Sequence, residues 1–261
     1  MKTHLSTINW LHQMQLESID LCSEIPFDFN ESKEKILVKP TIDLKDKIEK
    51  SIYHQVQKGT QDNLKSDSRS LADRCSTLEE LKLALENFDG CDLKKTAINT
   101  VFADGCPDAK IMLIGEAPGA AEDSKGIPFC GESGKLLDNI FSAISLSREK
   151  NLYITNSVFW RPPGNRRPTK EEIEICRPFL EKHISLIKPD LIILVGSTAI
   201  TSLIDPNGKI AEMRGKVSEY QNRYLNNPVN ISAIFHPAYL LRQPSKKKDV
   251  WYDLLRIFNK I

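Results

Sequence analysis

A parallel β-sheet covered by helices on both faces is the fold class this sequence predicts, and three observations predict it. Short, β-branched apolar runs recur along the second half of the chain: KIMLIG (110–115), NLYITNSV (151–158), DLIILVG (190–196) and NISAIFH (230–236). Amphipathic helical patterns fill the intervals between them, an alternation that reads as strand–helix–strand units with a buried sheet. At 261 residues and 40% apolar content, the chain is long enough for one large α/β domain plus an appendage.

Taken in order, residues 7–22 (TINWLHQMQLESIDLC) carry helix-like apolar spacing. From about 28 to 70 the composition turns to Lys, Asp and Ser with few aromatics, which reads as a solvated linker with room for one weak helix. At STLEELKLALENF, Ser76 and Glu79 form a capping-box pair, and Leu78, Leu81, Leu85 and Phe88 share one helical face. The domain therefore starts at 76, leaving 1–75 as an N-terminal extension. Beyond the first strand, SGKLLDNIFSAI (133–144) reads as a helix, and Thr169 caps a long one over 169–187. STAITSLI is a short helix, and VWYDLLRIFNKI (250–261) closes the chain.

Charge is nearly balanced at +1 but unevenly spread. Residues 1–90 carry 12 Lys and Arg against 16 Asp and Glu; residues 91–261 carry 24 against 19. A basic C-terminal part suits a polyanionic partner. No apolar run approaches the roughly 18 residues that span a bilayer, and the first arginine is Arg69, against an Arg-rich transit peptide. A cytoplasmic protein without membrane contact is expected. Its six cysteines are then thiols or metal ligands, and none forms the C-x-x-C pair typical of zinc sites.

Parallel sheets bind ligands beyond the carboxyl ends of their strands. The first strand runs into GEAPGAAEDSKGIPFCGESGK (115–135), with five glycines and two prolines. This is no phosphate-binding P-loop: Gly134 and Lys135 fit, but Phe129 stands where the first glycine belongs and Leu136 where a hydroxyl must be. The other strands end in Thr155-Asn156, Gly196-Ser197 and Phe235-His236-Pro237. Singly, Glu116 could serve as a helix-dipole partner, Asn156 as a turn residue and His236 as a cap. Together they converge on one sheet edge. There is no G-x-S-x-G elbow and no H-E-x-x-H, and no second histidine at ligand spacing from His236. Asn presents a donor and an acceptor to a planar edge, neutral His donates to an oxyanion, and Phe stacks, which together form a kit for a nucleobase.

GEAPGAAEDSKGIPFCGESGKLLD, LYITNSVFWRPPGNRRPTKEEIEIC and FHPAYLLR, in that order, resemble the motif blocks of family 4 uracil-DNA glycosylases, from about Gly90 to Ile261. The resemblance implies a three-layer α/β/α sandwich on a four-stranded parallel sheet and hydrolysis of the N-glycosidic bond of uracil in DNA. It implies that Glu116, Ala117, Glu122 and Asp123 act on uracil and a water, that Phe129 stacks on the flipped base, and that Asn156 reads its edge. It implies too that His236 faces uracil O2, and that PAYLLR (237–242) enters the duplex, with Leu240 and Leu241 as apolar wedges and Arg242 on a phosphate. Arg161, Arg166, Arg167 and Lys246, Lys247, Lys248 would add salt-sensitive phosphate contacts. The alternatives remain a core-facing leucine pair, a solvated PSKKKD turn, and an acidic pair that only caps a turn.

Members of this family typically hold a four-iron, four-sulfur cluster on four cysteines. Here Cys91 and Cys176 match, but Lys94 and Trp160 (in FWRPP) stand at the other two positions, and neither supplies a thiolate. Cys106 and Cys130 are the remaining candidates. No cofactor is expected. A monomer acting on uracil-containing DNA is the leading expectation. The alternatives are a non-catalytic nucleic-acid-binding or replication-associated module, and a relative with a different damaged-base preference.

Overall fold

The structure is a computed structural model that describes residues 67–260. The expected helix at 7–22 and most of the expected linker lie outside the described residues. The last linker residues, 67–70, are helical: helix α1 (67–74) buries Ala72, with Cys75 behind it, and the Tyr224 hydroxyl donates to Asp73 at 2.6 Å. Helix α2 (Leu78–Asn87) begins one residue later than expected. Its capping box is Thr77 with Glu80: Thr77 Oγ1 accepts from the Glu80 amide at 3.1 Å, and Glu80 Oε2 accepts from the Thr77 amide at 3.2 Å. The predicted apolar face holds, with Leu81, Leu85 and Phe88 buried and Leu78 packed beside them.

The central strands are β2 (Ile111–Gly115), β3 (Leu152–Asn156), β4 (Leu191–Val195) and β6 (Val229–Ile234), all mutually parallel. Two short antiparallel edge strands, β1 (Asp104–Gly105) and β5 (Ser218–Tyr220), extend the expected four-stranded sheet to six, in the order β1-β3-β2-β4-β6-β5. At two and three residues they carry too little pattern to be read from sequence, and each closes an edge that would otherwise expose unpaired backbone.

Side chains of each central strand alternate between two apolar layers. Met112 and Ile114 join Leu81, Leu85, Phe179 and Ala199 on one face. These come from α2, α5 (Lys170–Ile187) and α6 (Ser197–Leu203). Leu113 and Ile193 join Leu137, Ile140, Leu254 and Ile257 on the other, from α4 (Glu132–Ser142) and α9 (Lys247–Phe258). The molecule is thus an α/β/α sandwich. Thr169 caps α5 as expected, through a capping box with Glu172. Three further short helices complete it: α3 (Ala120–Lys125), α7 (Ile210–Met213) and α8 (Pro237–Arg242).

From β2 the chain crosses to β3 on one side, and from β4 it crosses to β6 on the other. The crevice at a parallel sheet's switch point therefore opens at the carboxyl ends of these strands. Among the described residues no helix is long and apolar enough to cross a membrane.

Candidate active site

At that edge lies a cleft of about 860 Å³. Asn156 ends β3 opposite Gly115, which ends β2. Its side chain is 2% exposed and opens onto the cleft, and among the described residues no protein group hydrogen-bonds its amide. The amide faces the open cleft, so a ligand that offers both a donor and an acceptor there can take up its hydrogen bonds. The glycine opposite is a steric necessity. A Cβ at position 115 would lie 2.4 Å from Asn156 Oδ1 and 2.5 Å from Phe129 Cζ, so only glycine lets both side chains reach the cleft floor.

Phe129 comes from the loop between α3 and α4, in a left-handed backbone conformation (φ 51°). That conformation costs roughly 1–2 kcal/mol for a bulky L-residue and persists only where the surroundings enforce it. Its ring stands 5.7 Å from the His236 ring, tilted by 32°. A planar base entering the cleft meets an aromatic face, a carboxamide edge and an imidazole.

His236 follows β6 and caps α8, with Nδ1 accepting from the Ala238 amide at 3.1 Å. The proton of the neutral ring therefore sits on Nε2. Burial, helped by the Arg242 charge and opposed by Glu122, pulls the imidazole down to about 4. At neutral pH this is an uncharged donor.

Glu116 and Ala117 follow β2 directly and line the cleft, half-buried. Glu122 lines it too, but its carboxylate already binds backbone: Oε2 accepts from the Gly119 amide at 3.1 Å and Oε1 from the Gly131 amide at 2.9 Å. It ties the two loops that frame the site. The adjacent Asp123 faces away from the cleft. It is 2% exposed, and Oδ1 accepts from the Ile98 and Asn99 amides at 2.8 and 3.2 Å, so the sequence expectation that it acts on a bound base is corrected to a loop anchor.

The two leucines of PAYLLR separate. Leu240 is fully buried in the layer with Ile140 and Trp251, so it is no wedge, whereas Leu241 is 46% exposed beside the exposed Arg242 at the cleft. Arg161 lies off the cleft wall, donating from Nε to Asn165 Oδ1 at 2.7 Å. Arg166 forks onto Glu172 at 2.6 and 2.9 Å, while Arg167 and Asn165 stand at the rim. Lys246 pairs with Asp249 at 3.1 Å. Asn165 was not singled out from the sequence. Its signal is the P-G-N turn, in which Asn165 adopts φ 55°.

The cluster positions lie elsewhere, against the α2–α5 layer. Trp160 is 1% exposed, and its Nε1 donates to Thr100 Oγ1 at 3.0 Å. Lys94 Nζ donates to the Glu86 carbonyl at 2.7 Å and to Asp89 at 2.8 Å. Cys91 and Cys176 are both fully buried, and the hydrogen bond between them, reinforced by burial, pushes the Cys176 thiol well up. Cys106 and Cys130 do not complete a ligand set: among the described residues no three His, Cys, Asp or Glu side chains gather as a metal site. An indole with its own hydrogen bond fills one ligand position and an ion-paired ammonium another. These residues do not fit a four-iron cluster.

A family profile described as "Uracil DNA glycosylase superfamily" matches residues 102–255. The "Type-4 uracil-DNA glycosylase" of Pyrobaculum aerophilum is 38% identical over 183 residues, covering 69% of this chain and 93% of that protein. The protein of the same name from Archaeoglobus fulgidus is 38% identical, covering 69% and 92%. The one from Thermotoga maritima is 38% identical, covering 65% and 86%. On that profile match and these relatives, the chain belongs to the uracil-DNA glycosylase superfamily, in its type-4 branch.

Proposed function

We propose that this protein excises uracil from DNA by hydrolysing its N-glycosidic bond, leaving an abasic site. The observation that carries the reading is Asn156, a buried residue whose carboxamide has no protein partner among the described residues, at the floor of the cleft between Phe129 and His236. The type-4 relatives support the same chemistry.

The target base cannot react inside the duplex, so the nucleotide rotates out at a cost of a few kcal/mol. Leu241 fills the vacated stack, and Arg242 and Arg167 hold flanking phosphates; Arg161 braces the rim through Asn165. In the cleft Phe129 stacks on uracil. The Asn156 amide accepts from N3–H and donates to O4, which cytosine cannot match in that orientation. As the C1′–N1 bond breaks, its electron pair moves into the ring toward O2, where the His236 Nε2–H donates to the developing anion. The sugar becomes cationic. The Glu116 carboxylate, beside the Ala117 backbone, stabilises it and takes a proton from the water that attacks C1′. Glu122 sets the spacing of the loops and contributes negative charge to the wall. No step requires a metal or cluster, and the closed packing around Trp160 supports a protein that works without one. The cleft is built within one chain, which supports action as a monomer. The free thiols of the five described cysteines are in keeping with the cytoplasm.

The test is a single-turnover assay on oligonucleotides carrying uracil, a thymine mismatch or hypoxanthine, scored as alkali-labile abasic sites. Cleavage at uracil and none at cytosine is expected. A protein that binds uracil-containing DNA yet forms no abasic site would overturn this reading in favour of a binding module.

A further inference from the structure

The loop from 126 to 131 must hold Phe129 in a backbone conformation that L-residues rarely adopt, and one side chain outside every motif is positioned to do it. Arg148 sits before β3, with only 14% of its side chain exposed. All five of its N–H donors are used. Nε and Nη2 donate to Asp138 Oδ1 at 3.1 and 2.8 Å, and Nη1 donates to Asp104 Oδ2 at 2.7 Å. The remaining two reach the Phe129 loop: Nη1 donates to the Pro128 carbonyl at 3.1 Å and Nη2 to the Phe129 carbonyl at 3.0 Å. Asp104 belongs to β1 and Asp138 to α4, so the guanidinium ties the loop to the sheet edge and to a core helix.

The other side of the same carbonyl is also fixed. A Cβ on Gly134, in the first turn of α4, would lie 1.6 Å from the Phe129 oxygen, so the loop packs directly onto the helix backbone there. The ring in turn packs on Gly115 and faces His236 at 5.7 Å. Helix, guanidinium, carbonyl and ring form one continuous chain of contacts ending at the cleft.

We infer that Arg148 is a positioning residue for uracil excision: it locks Phe129 in its left-handed conformation so that the ring is preset for stacking on the extruded base. The inference rests on the uracil-stacking reading of Phe129. The requirement is for the fork and not the charge. Five donors in a plane match acceptors on three separate elements, whereas a lysine ammonium offers three donors from a single point and cannot span them.

The experiment pairs a direct view of the ring with kinetics. Protein labelled with fluorophenylalanine carries ten fluorine signals, one per phenylalanine, and Phe129→Leu identifies the signal of interest. In Arg148→Lys the Phe129 signal is expected to broaden or split while the others hold their positions, which also certifies the fold. Asp138→Asn, which keeps the arginine but weakens two of its five bonds, should do the same to a smaller degree. In single-turnover assays Arg148→Lys should slow excision about 10-fold and weaken inhibition by free uracil about 10-fold, in the range expected when a well-set contact is loosened. Affinity for uracil-free duplex should stay unchanged. In the Phe129→Leu background Arg148→Lys should add nothing. An unchanged Phe129 signal, or a kinetic loss that adds fully to that of Phe129→Leu, would overturn the inference. Failure of the parent protein to excise uracil would sink the proposed function, and the fluorine signals would still decide the role of Arg148.

Discussion

The cleft at the strand ends and the buried corner around Trp160 are built from comparable materials, a few polar side chains set in apolar packing, yet they treat those side chains in opposite ways. In the corner the groups at the ligand positions have partners within the protein: the Trp160 indole on Thr100, Lys94 on Asp89 and Glu86, Cys176 on Cys91. At the cleft, the Asn156 amide and the His236 Nε2 face the open space and take no partner among the described residues. A fold gains nothing in stability from such groups, and their convergence on one cleft points to a ligand. Where the protein's own groups satisfy one another, the result is packing.

The sharpest way to break this contrast is Asn156→Ala. If the amide reads the base, excision should fall by about 10³ or more, because a site built for hydrogen bonds loses them all at once. Duplex affinity should persist in a gel-shift assay, and removing an uncommitted buried amide should leave Tm nearly unchanged. Excision at the parental rate would show that Asn156 is not the reader.

His236→Ala should cost about 10²–10³ in turnover, as loss of one oxyanion donor does, with activity insensitive to EDTA. Activity lost in chelator and restored by a divalent metal would make His236 a ligand instead. With its imidazole held down to about 4, excision should be flat from pH 8 to about 5.5 and fall toward 4, as Nδ1 protonates and releases the Ala238 cap. Stability follows the same histidine. A folded-state value below the unfolded 6.5 means that the unfolded chain binds more protons between the two, so this contribution is lost as pH falls from about 6.5 to 4. Buried His183, held near 3, acts in the same sense, whereas Asp253, raised by burial to about 6, gains from acid between about 6 and 3.8. Urea midpoints across this window, repeated for Asp253→Asn, separate the two signs.

The adjacent leucines sharpen the contrast on a smaller scale. Leu241→Ala should slow excision from duplex about 10-fold, because the wedge is gone, with little effect on single-stranded substrate or Tm. Leu240→Ala should instead destabilise the fold by about 2–5 kcal/mol, the cost of emptying a core position, and change catalysis only through that. If Leu240 governs duplex excision and Leu241 does not, the wedge has been assigned to the wrong side chain.

These two residues also mark where the sequence stops being legible. Neighbouring positions on a helix point about 100° apart, so PAYLLR allows either leucine, or both, to face the core without saying which. STLEE has the same ambiguity: Ser76 with Glu79 and Thr77 with Glu80 both satisfy the capping pattern, and the helix starts from the second. The four central strands were legible because apolar, β-branched runs bounded by turn residues leave little choice, and their ends carry Glu116, Asn156 and His236 to one edge. β1 and β5 were not, being too short to show a period. Glu122 and Asp123 sit side by side in a motif, but only the fold separates the residue at the cleft from the one anchoring residues 98 and 99. Arg148 lies outside every motif, and its role appears only when its five donors are traced to their acceptors.

Our proposal is that the cleft alone carries uracil excision and that the corner around Trp160 is closed packing. It is tested most directly by measuring uracil excision and bound iron on the same protein, purified without oxygen. A colourless protein with no absorbance near 400 nm and no stoichiometric iron, turning over uracil-containing DNA, is the predicted result. Excision confined to a fraction holding about four irons per chain, and lost together with that iron on Cys91→Ala, would contradict it.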